Sequence, residues 1–151
     1  ILTADCAPIL IYDEKEKMIA AIHAGWKGAF KGIIKRTLNF MIKKGCTPKN
    51  ITAVIGPCIS VKNYEVKKDF IKKLIKKDGK NKKFFKKIQN KDFFDLKKYV
   101  LSQLKALNIK KIDIINKDTF NPKNNFFSAR RSISRNENDY GRNISVIMIN
   151  S

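Results

Sequence analysis

Two apolar runs joined by a short polar link, followed by segments of helical periodicity, predict a mixed α/β (α+β) fold. The runs 8–12 (PILIY) and 18–24 (MIAAIHA) read as buried strands, and the polar residues 13–16 between them fit a hairpin connection. Phe30, Ile33, Ile34, Thr37, Leu38, Met41 and Ile42 then recur at the 3, 4, 7, 8 spacing of one helix face. A hairpin followed by alternating strands and helices argues against a purely parallel, doubly wound sheet.

Gly25 and Gly28 mark a tight turn after the second strand, and the helix that starts at Ala29 stops at Gly45. The run 51–55 (ITAVI) is a third strand closed by Gly56-Pro57. Residues 66–77 form an amphipathic helix with Phe70, Leu74 and Ile75 inward, and 76–90 is the most mobile stretch by composition. Asp95 is a good N-cap for a helix over 96–107. A strand over 112–115, a turn cluster at 121–125 and a closing strand over 144–149 complete the reading, with no internal repeat.

The 151 residues are one domain's length, and 43% hydrophobic with 30% charged residues excludes a collagen, a disulfide miniprotein and wholesale disorder. No apolar run approaches the ~20 residues that cross a bilayer, and the expected location is cytoplasmic. Cys6, Cys46 and Cys58 are an odd set that implies thiols rather than a disulfide framework. The chain opens on Ile1, in a stretch that already reads as sheet interior, so a single domain lacking its N-terminal part is expected over 1–151.

Formal net charge is +20, and residues 62–111 hold eighteen lysines against five acids. Such a run can attract nucleic acid or an anionic membrane. It contains no arginine, however, and its aromatics sit among aliphatics at core spacing. Forked guanidiniums and stacked rings are what specific recognition uses, so no specific nucleic acid and no membrane partner is expected.

Four of the five arginines (Arg130, Arg131, Arg135 and Arg142) fall within thirteen residues. In so lysine-rich a chain this suggests planar pairing with a phosphate, a carboxylate ligand or a structural acid such as Asp5. His23 is the only histidine, at the end of a strand and before a glycine turn. Cys6 lies just before the first strand, so paired strands would bring thiol and imidazole to one end of a sheet. Nucleophile with base, or two zinc ligands, are both open. The turn at Gly25, with Lys27 and Gly28, offers backbone N–H groups to an anion, and Trp26 reads equally well as core.

The segments TADCAPIL (3–10), IAAIHAGWKG (19–28), IGPCIS (55–60) with YEV (64–66), FFSARR (126–131) and GR (141–142) together resemble the laccase-domain proteins, also labelled polyphenol oxidase or purine nucleoside phosphorylase. The resemblance implies sheets sandwiched by helices, similar to cysteine-hydrolase toxins. It also implies a zinc ion held by two His and one Cys, of which Cys6 and His23 match two and the other His lies upstream in the family pattern. The implied activity is zinc-dependent phosphorolysis of purine nucleosides to base and ribose 1-phosphate, with adenosine deamination at the same site. Phosphate is then co-substrate, and Arg130, Arg142 and Gly25 are the candidate substrate-binding residues. Two departures stand out: Asp118-Thr119 where the family often has Cys-Thr, and a different residue before Gly141-Arg142.

Two other functions compete. Cys6 and His23 as a metal-free dyad would make a hydrolase, an amidase or an enzyme editing a peptidoglycan precursor. The lysine-rich 62–111 would make a basic binding module. A copper oxidase needs a histidine-rich ligand set, which one histidine does not supply.

Overall fold

The hairpin read from 8–24 lies in the main sheet of the structure, a computed structural model that describes residues 1–150. In chain order the elements are β1 (Leu2–Thr3), β2 (Ala7–Asp13), β3 (Met18–Ala24), α1 (Trp26–Phe30), α2 (Ile33–Lys43), β4 (Ile51–Ile55) and α3 (Lys68–Lys77), then β5 (Phe85–Ile88), β6 (Lys91–Phe94), α4 (Leu96–Ala106), β7 (Lys111–Ile114), α5 (Ala129–Ser134) and β8 (Asn143–Ile144). The main sheet runs β3-β2-β4-β7, with β2 antiparallel to both β3 and β4 and only the β4–β7 pair parallel. This is the mixed α/β class the sequence predicts.

Register explains the core. Ile9 pairs with Ile22 and Ile55, and Ile11 with Ala20 and Ala53. Ile9, Ile11, Ala53 and Ile55 are fully buried with Ile34, Leu38 and Met41 of α2 and Leu96, Val100 and Leu104 of α4. A single-residue slip of β2 would turn this isoleucine set to the other face, so the register is strongly specified. Asp13 is buried at the far end of β2, where its carboxylate accepts N–H groups from Lys15, Glu16 and Thr47. Burial alone would raise its pKa; those hydrogen bonds outweigh it and hold the group low.

Three expectations are corrected and one unassigned segment gains an element. The helix expected from Ala29 is two helices, α1 and α2, because Gly32 takes a left-handed conformation at φ 84° between them. The stretch 76–90 is ordered: a 3-10 turn over Gly79–Phe84 leads into the β5–β6 hairpin. Its anchor is aromatic, with Phe84 against Tyr99 at 5.3 Å and Phe85 against Phe94 at 5.3 Å. The closing strand shrinks to Asn143–Ile144, paired with β1. Ser145 still exchanges hydrogen bonds with Ile1, but residues 146–150, which alternate like a strand, lie in no strand among the described residues, and Val146 and Met148 are exposed. Finally, FFSARR opens α5, a helix the sequence reading does not assign, capped by the Ser128 hydroxyl accepting from the Arg131 N–H.

Candidate active site

Cys6 is presented by a loop that three distant segments hold in place. Its neighbour Asp5 adopts a left-handed conformation, φ 78°, uncommon for a non-glycine residue. The nearly buried Asp5 carboxylate accepts from Thr119 Oγ1 (2.7 Å), Ser128 Oγ (3.0 Å) and the Arg130 N–H (2.7 Å), while its carbonyl accepts from the Ile59 N–H (3.0 Å). The start of α5 and the loops after β4 and β7 therefore converge on the residue before Cys6. Asp5 is thus the structural acid of the arginine segment, but through the backbone of Arg130 rather than a guanidinium.

The β2–β3 register ends at Ala7 with Ala24, which leaves Cys6 against the turn at Gly25. A Cβ added to Gly25 would lie 2.6 Å from Cys6 Sγ, so only glycine leaves the thiol its space. His23, paired with Pro8, is exposed near the end of β3. The two expected chemical residues thus stand at the same end of one hairpin. Burial, reinforced by the Asp5 charge, pushes the Cys6 thiol up. That disfavours a free thiolate and weighs against a metal-free nucleophile.

Arg130, whose N–H bonds Asp5, lines a cleft of about 320 Å³ with Trp26, Tyr64, Val66 and Phe70, and with Glu65 and Lys67. Trp26 follows Gly25 directly and meets Phe70 edge-on at 4.7 Å. The Arg130 guanidinium sits 5.3 Å over the Tyr64 ring and donates to the Glu65 carbonyl at 3.1 Å. Burial raises the Tyr64 hydroxyl, with Cys6 and Asp5 adding in the same sense and Arg130 opposing them. Arg130 links the two: its N–H bonds the Asp5 carboxylate next to Cys6, and its guanidinium lines the cleft over Tyr64. Larger cavities lie elsewhere, one of about 520 Å³ near Lys35 and Tyr99 and one of about 580 Å³ near Thr47 and Lys110. None of the three has a thiol or imidazole among its lining residues, but only the Arg130 cleft is tied by a hydrogen bond to the residue next to Cys6.

The other arginines divide by role. Arg131 is a clamp, donating to the carbonyls of Thr119, Phe120 and Phe126 at 2.5–3.0 Å. Arg142 stacks on Tyr140 at 3.8 Å, bonds the Tyr140 carbonyl and lies 3.9 Å from Asp139. At the departure from the family pattern, Asp118 accepts from Ser60 N–H and hydroxyl, Asn63 Nδ2 and Phe120 N–H. Against the opposing effect of burial these bonds hold its pKa low. Asp118 therefore ties the loop after β4 to the one after β7. Cys58 is fully buried and its thiol is pushed up to about 12, which leaves it chemically inert.

Thiol and imidazole both suit zinc, yet among the described residues no three His, Cys, Asp or Glu side chains gather where they could hold a metal. Cys6 and His23 are two donors where a catalytic zinc takes three from protein. The residues of this chain alone do not fit a complete centre.

The family described as multi-copper polyphenol oxidoreductase laccase matches residues 1–150. The chain belongs to this family. A laccase-domain relative from Rickettsia conorii, named purine nucleoside phosphorylase, is 38% identical over 146 residues, which are 95% of this chain and 60% of that protein. One of the same name from Haemophilus influenzae is 35% identical over 97% of this chain and 58% of its own length. The chain therefore spans about three-fifths of these relatives. Crystal structures of a DUF152 protein from Neisseria meningitidis and of YfiH from Bacillus licheniformis superpose with TM-scores of 0.77 and 0.78. They are 29% and 30% identical, cover 87% of this chain and are themselves covered over 53% and 51%. No helix among the described residues is long and apolar enough to cross a membrane.

Sequence reasoning did not place Tyr64 at the cleft and took Trp26 only as core or turn. The signal for Tyr64 was available: YEV (64–66) is one of the family-like segments, but nothing in its spacing links it to Cys6.

Proposed function

We propose that this chain carries the nucleoside-cleaving site of a purine nucleoside phosphorylase, with Cys6 and His23 at its centre. The observation that carries the reading is the Cys6 thiol seated against Gly25, in a loop whose Asp5 holds the N–H of Arg130, a residue lining the aromatic cleft. The relatives' name supplies the substrate class.

In phosphorolysis a phosphate oxygen bonds to C1′ of the ribose as the bond from C1′ to N9 breaks. The base leaves with that electron pair and takes up a proton. His23, exposed at the strand end, and Cys6 are the side chains assigned to the reacting centre. Arg130 and Arg142 provide positive charge for the anionic co-substrate, and the Gly25 turn lets it approach the backbone. Of the two arginines, Arg130 is the one that lines the cleft.

In this reading Cys6 and His23 would be two ligands of a zinc ion, which would supply a Lewis acid where a third donor completed the site. Adenosine deamination is assigned to the same site. Substrates are a small purine nucleoside and phosphate, and the location assigned is the cytoplasm.

The test assays adenosine, inosine and guanosine with and without phosphate, before and after chelation. Free base and ribose 1-phosphate should form only with phosphate, disappear on chelation and return with added zinc. Turnover that survives chelation and is destroyed by thiol alkylation would transfer the site to the metal-free Cys6–His23 dyad.

A further inference from the structure

The cavity near Lys35 and Tyr99 gathers polar groups that the chemistry at Cys6 does not use. Its walls come from the break between α1 and α2 (Gly32), from the 3-10 turn (Asp78, Asn81) and from one face of α4 (Tyr99, Gln103), around about 520 Å³. That is room for a small molecule. Two of these side chains are more than nine-tenths buried and keep a polar atom without a partner. Asn81 is 8% exposed; its Nδ2 donates to the Leu74 carbonyl at 2.8 Å, and no donor reaches its Oδ1 among the described residues. Tyr99 is 4% exposed, and no acceptor takes its O–H proton among the described residues. Burial raises its pKa against the opposing Gln103 amide, so the phenol stays a donor. Neither atom is sealed in, because Thr47 Oγ1 alone among the described side-chain atoms is fully enclosed and unpartnered. The open ends of Asn81 and Tyr99 therefore face the cavity that they line.

The α2 wall is arranged for an anion. Gly32 starts this helix with no side-chain cap and no acid in the first turn, which leaves its first N–H groups and positive dipole end unmatched. A Cβ added there would meet nothing within 4 Å, so the helix end opens on free space. Lys35, one turn on, is exposed and has no carboxylate within ion-pair distance among the described residues. Asp78 stands on the other wall, where one oxygen accepts from the Lys80 N–H at 2.9 Å and the other is free. We propose that this cavity is a second ligand site, separate from Cys6, which takes a small phosphorylated sugar. Its phosphate meets the Gly32 end of α2 and Lys35, and its hydroxyls meet Asn81 Oδ1, the Tyr99 O–H and Asp78. Hydroxyls both donate and accept, which this mixed set requires. The Tyr99 ring is packed against Phe84 and Phe94 at 5.3 Å and 5.5 Å, which favours a polyol over a stacked base. Neither Cys6, His23 nor Arg130 lines the cavity, so the site stands apart from the phosphorylase reading.

The experiment is calorimetric titration of the full chain with ribose 5-phosphate, ribose and inorganic phosphate. Salt at about 0.15 M screens loose attraction to the charged surface. The unaltered protein is compared with Lys35→Met, Tyr99→Phe and Arg130→Met. Ribose 5-phosphate should bind saturably and at least about ten-fold more tightly than ribose or inorganic phosphate. Lys35→Met should weaken that binding about ten-fold, the loss expected for a charged hydrogen bond. Tyr99→Phe removes only the hydroxyl and keeps the ring packed, and should weaken it about five-fold. Arg130→Met should leave it in place. Absence of saturable binding, equal affinity for inorganic phosphate, or an isotherm that either folded variant leaves unchanged overturns the site. Loss of binding in Arg130→Met also overturns it and moves the sugar phosphate to the Arg130 cleft. Lys35 is on the surface, so Lys35→Met decides the matter even where Tyr99→Phe fails to fold.

Discussion

At the scale of single residues, the account turns on the few ångströms around the Cys6 sulfur. Gly25→Ala puts a methyl 2.6 Å from Sγ, closer than side chains tolerate, so the thiol must move. A displacement of that size at a reacting centre costs on the order of 10²-fold in rate. Thermal melting paired with kcat/KM on inosine should show that loss of rate with only a small change in Tm. Cys6 and His23 were legible as a pair because a four-residue polar link between two apolar runs dictates antiparallel pairing, and pairing brings their strand ends together. Asp5 was legible only as one of several partners for the arginines. Its actual partners Thr119, Ser128 and Arg130 are 114 to 125 positions away, and no local pattern encodes a hydrogen bond across that distance.

At the scale of elements, local chemistry was readable wherever it decided the structure by itself. Asp95 caps α4 as its sequence position indicates, its side chain accepting from the Lys98 N–H at 2.9 Å. Asp95→Ala should therefore lower unfolding stability by about 1 kcal/mol in urea denaturation, with KM for nucleoside unchanged because α4 does not line the Cys6 cleft. Elements decided by tertiary contacts were not readable. The polar, lysine-dense 76–90 reads as loose, yet Phe84 and Phe85 anchor it in an aromatic cluster with Tyr99 and Phe94. The alternation over 144–149 reads as a strand, but pattern alone does not create a ladder, and β1 offers only Leu2–Thr3. Gly32 lies within a helical period that continues correctly on both sides of it, so periodicity hides the break.

For the molecule as a whole, charge and buried thiols set how stability and binding respond to solution conditions. Cys46 and Cys58 are buried with raised pKa values, Cys58 to about 12. In the unfolded chain such thiols ionise near the ordinary value of about 8.5. Between that pH and the folded values the folded state binds more protons, so stability is full below about pH 8.5 and falls as pH rises toward 12. Urea midpoints measured from pH 7 to 11 should decline above about pH 8.5, and Cys58→Ala should flatten that decline. The net charge of +20 predicts polyanion binding that weakens steeply with salt. Because the lysines of 62–111 are mainly on the surface, binding of that kind is separable from the chemistry at Cys6. Replacing Lys82, Lys83, Lys86 and Lys87 by Glu should reduce adsorption to heparin without altering nucleoside cleavage.

The most direct measurement is phosphate-dependent release of hypoxanthine from inosine by the zinc-supplied protein and by its Cys6→Ala variant, with folding of both checked by circular dichroism. The account predicts equal amounts of hypoxanthine and ribose 1-phosphate from the unaltered protein and a loss of at least about 10²-fold in kcat/KM for the variant. A folded Cys6→Ala protein that cleaves inosine at the unaltered rate would contradict it.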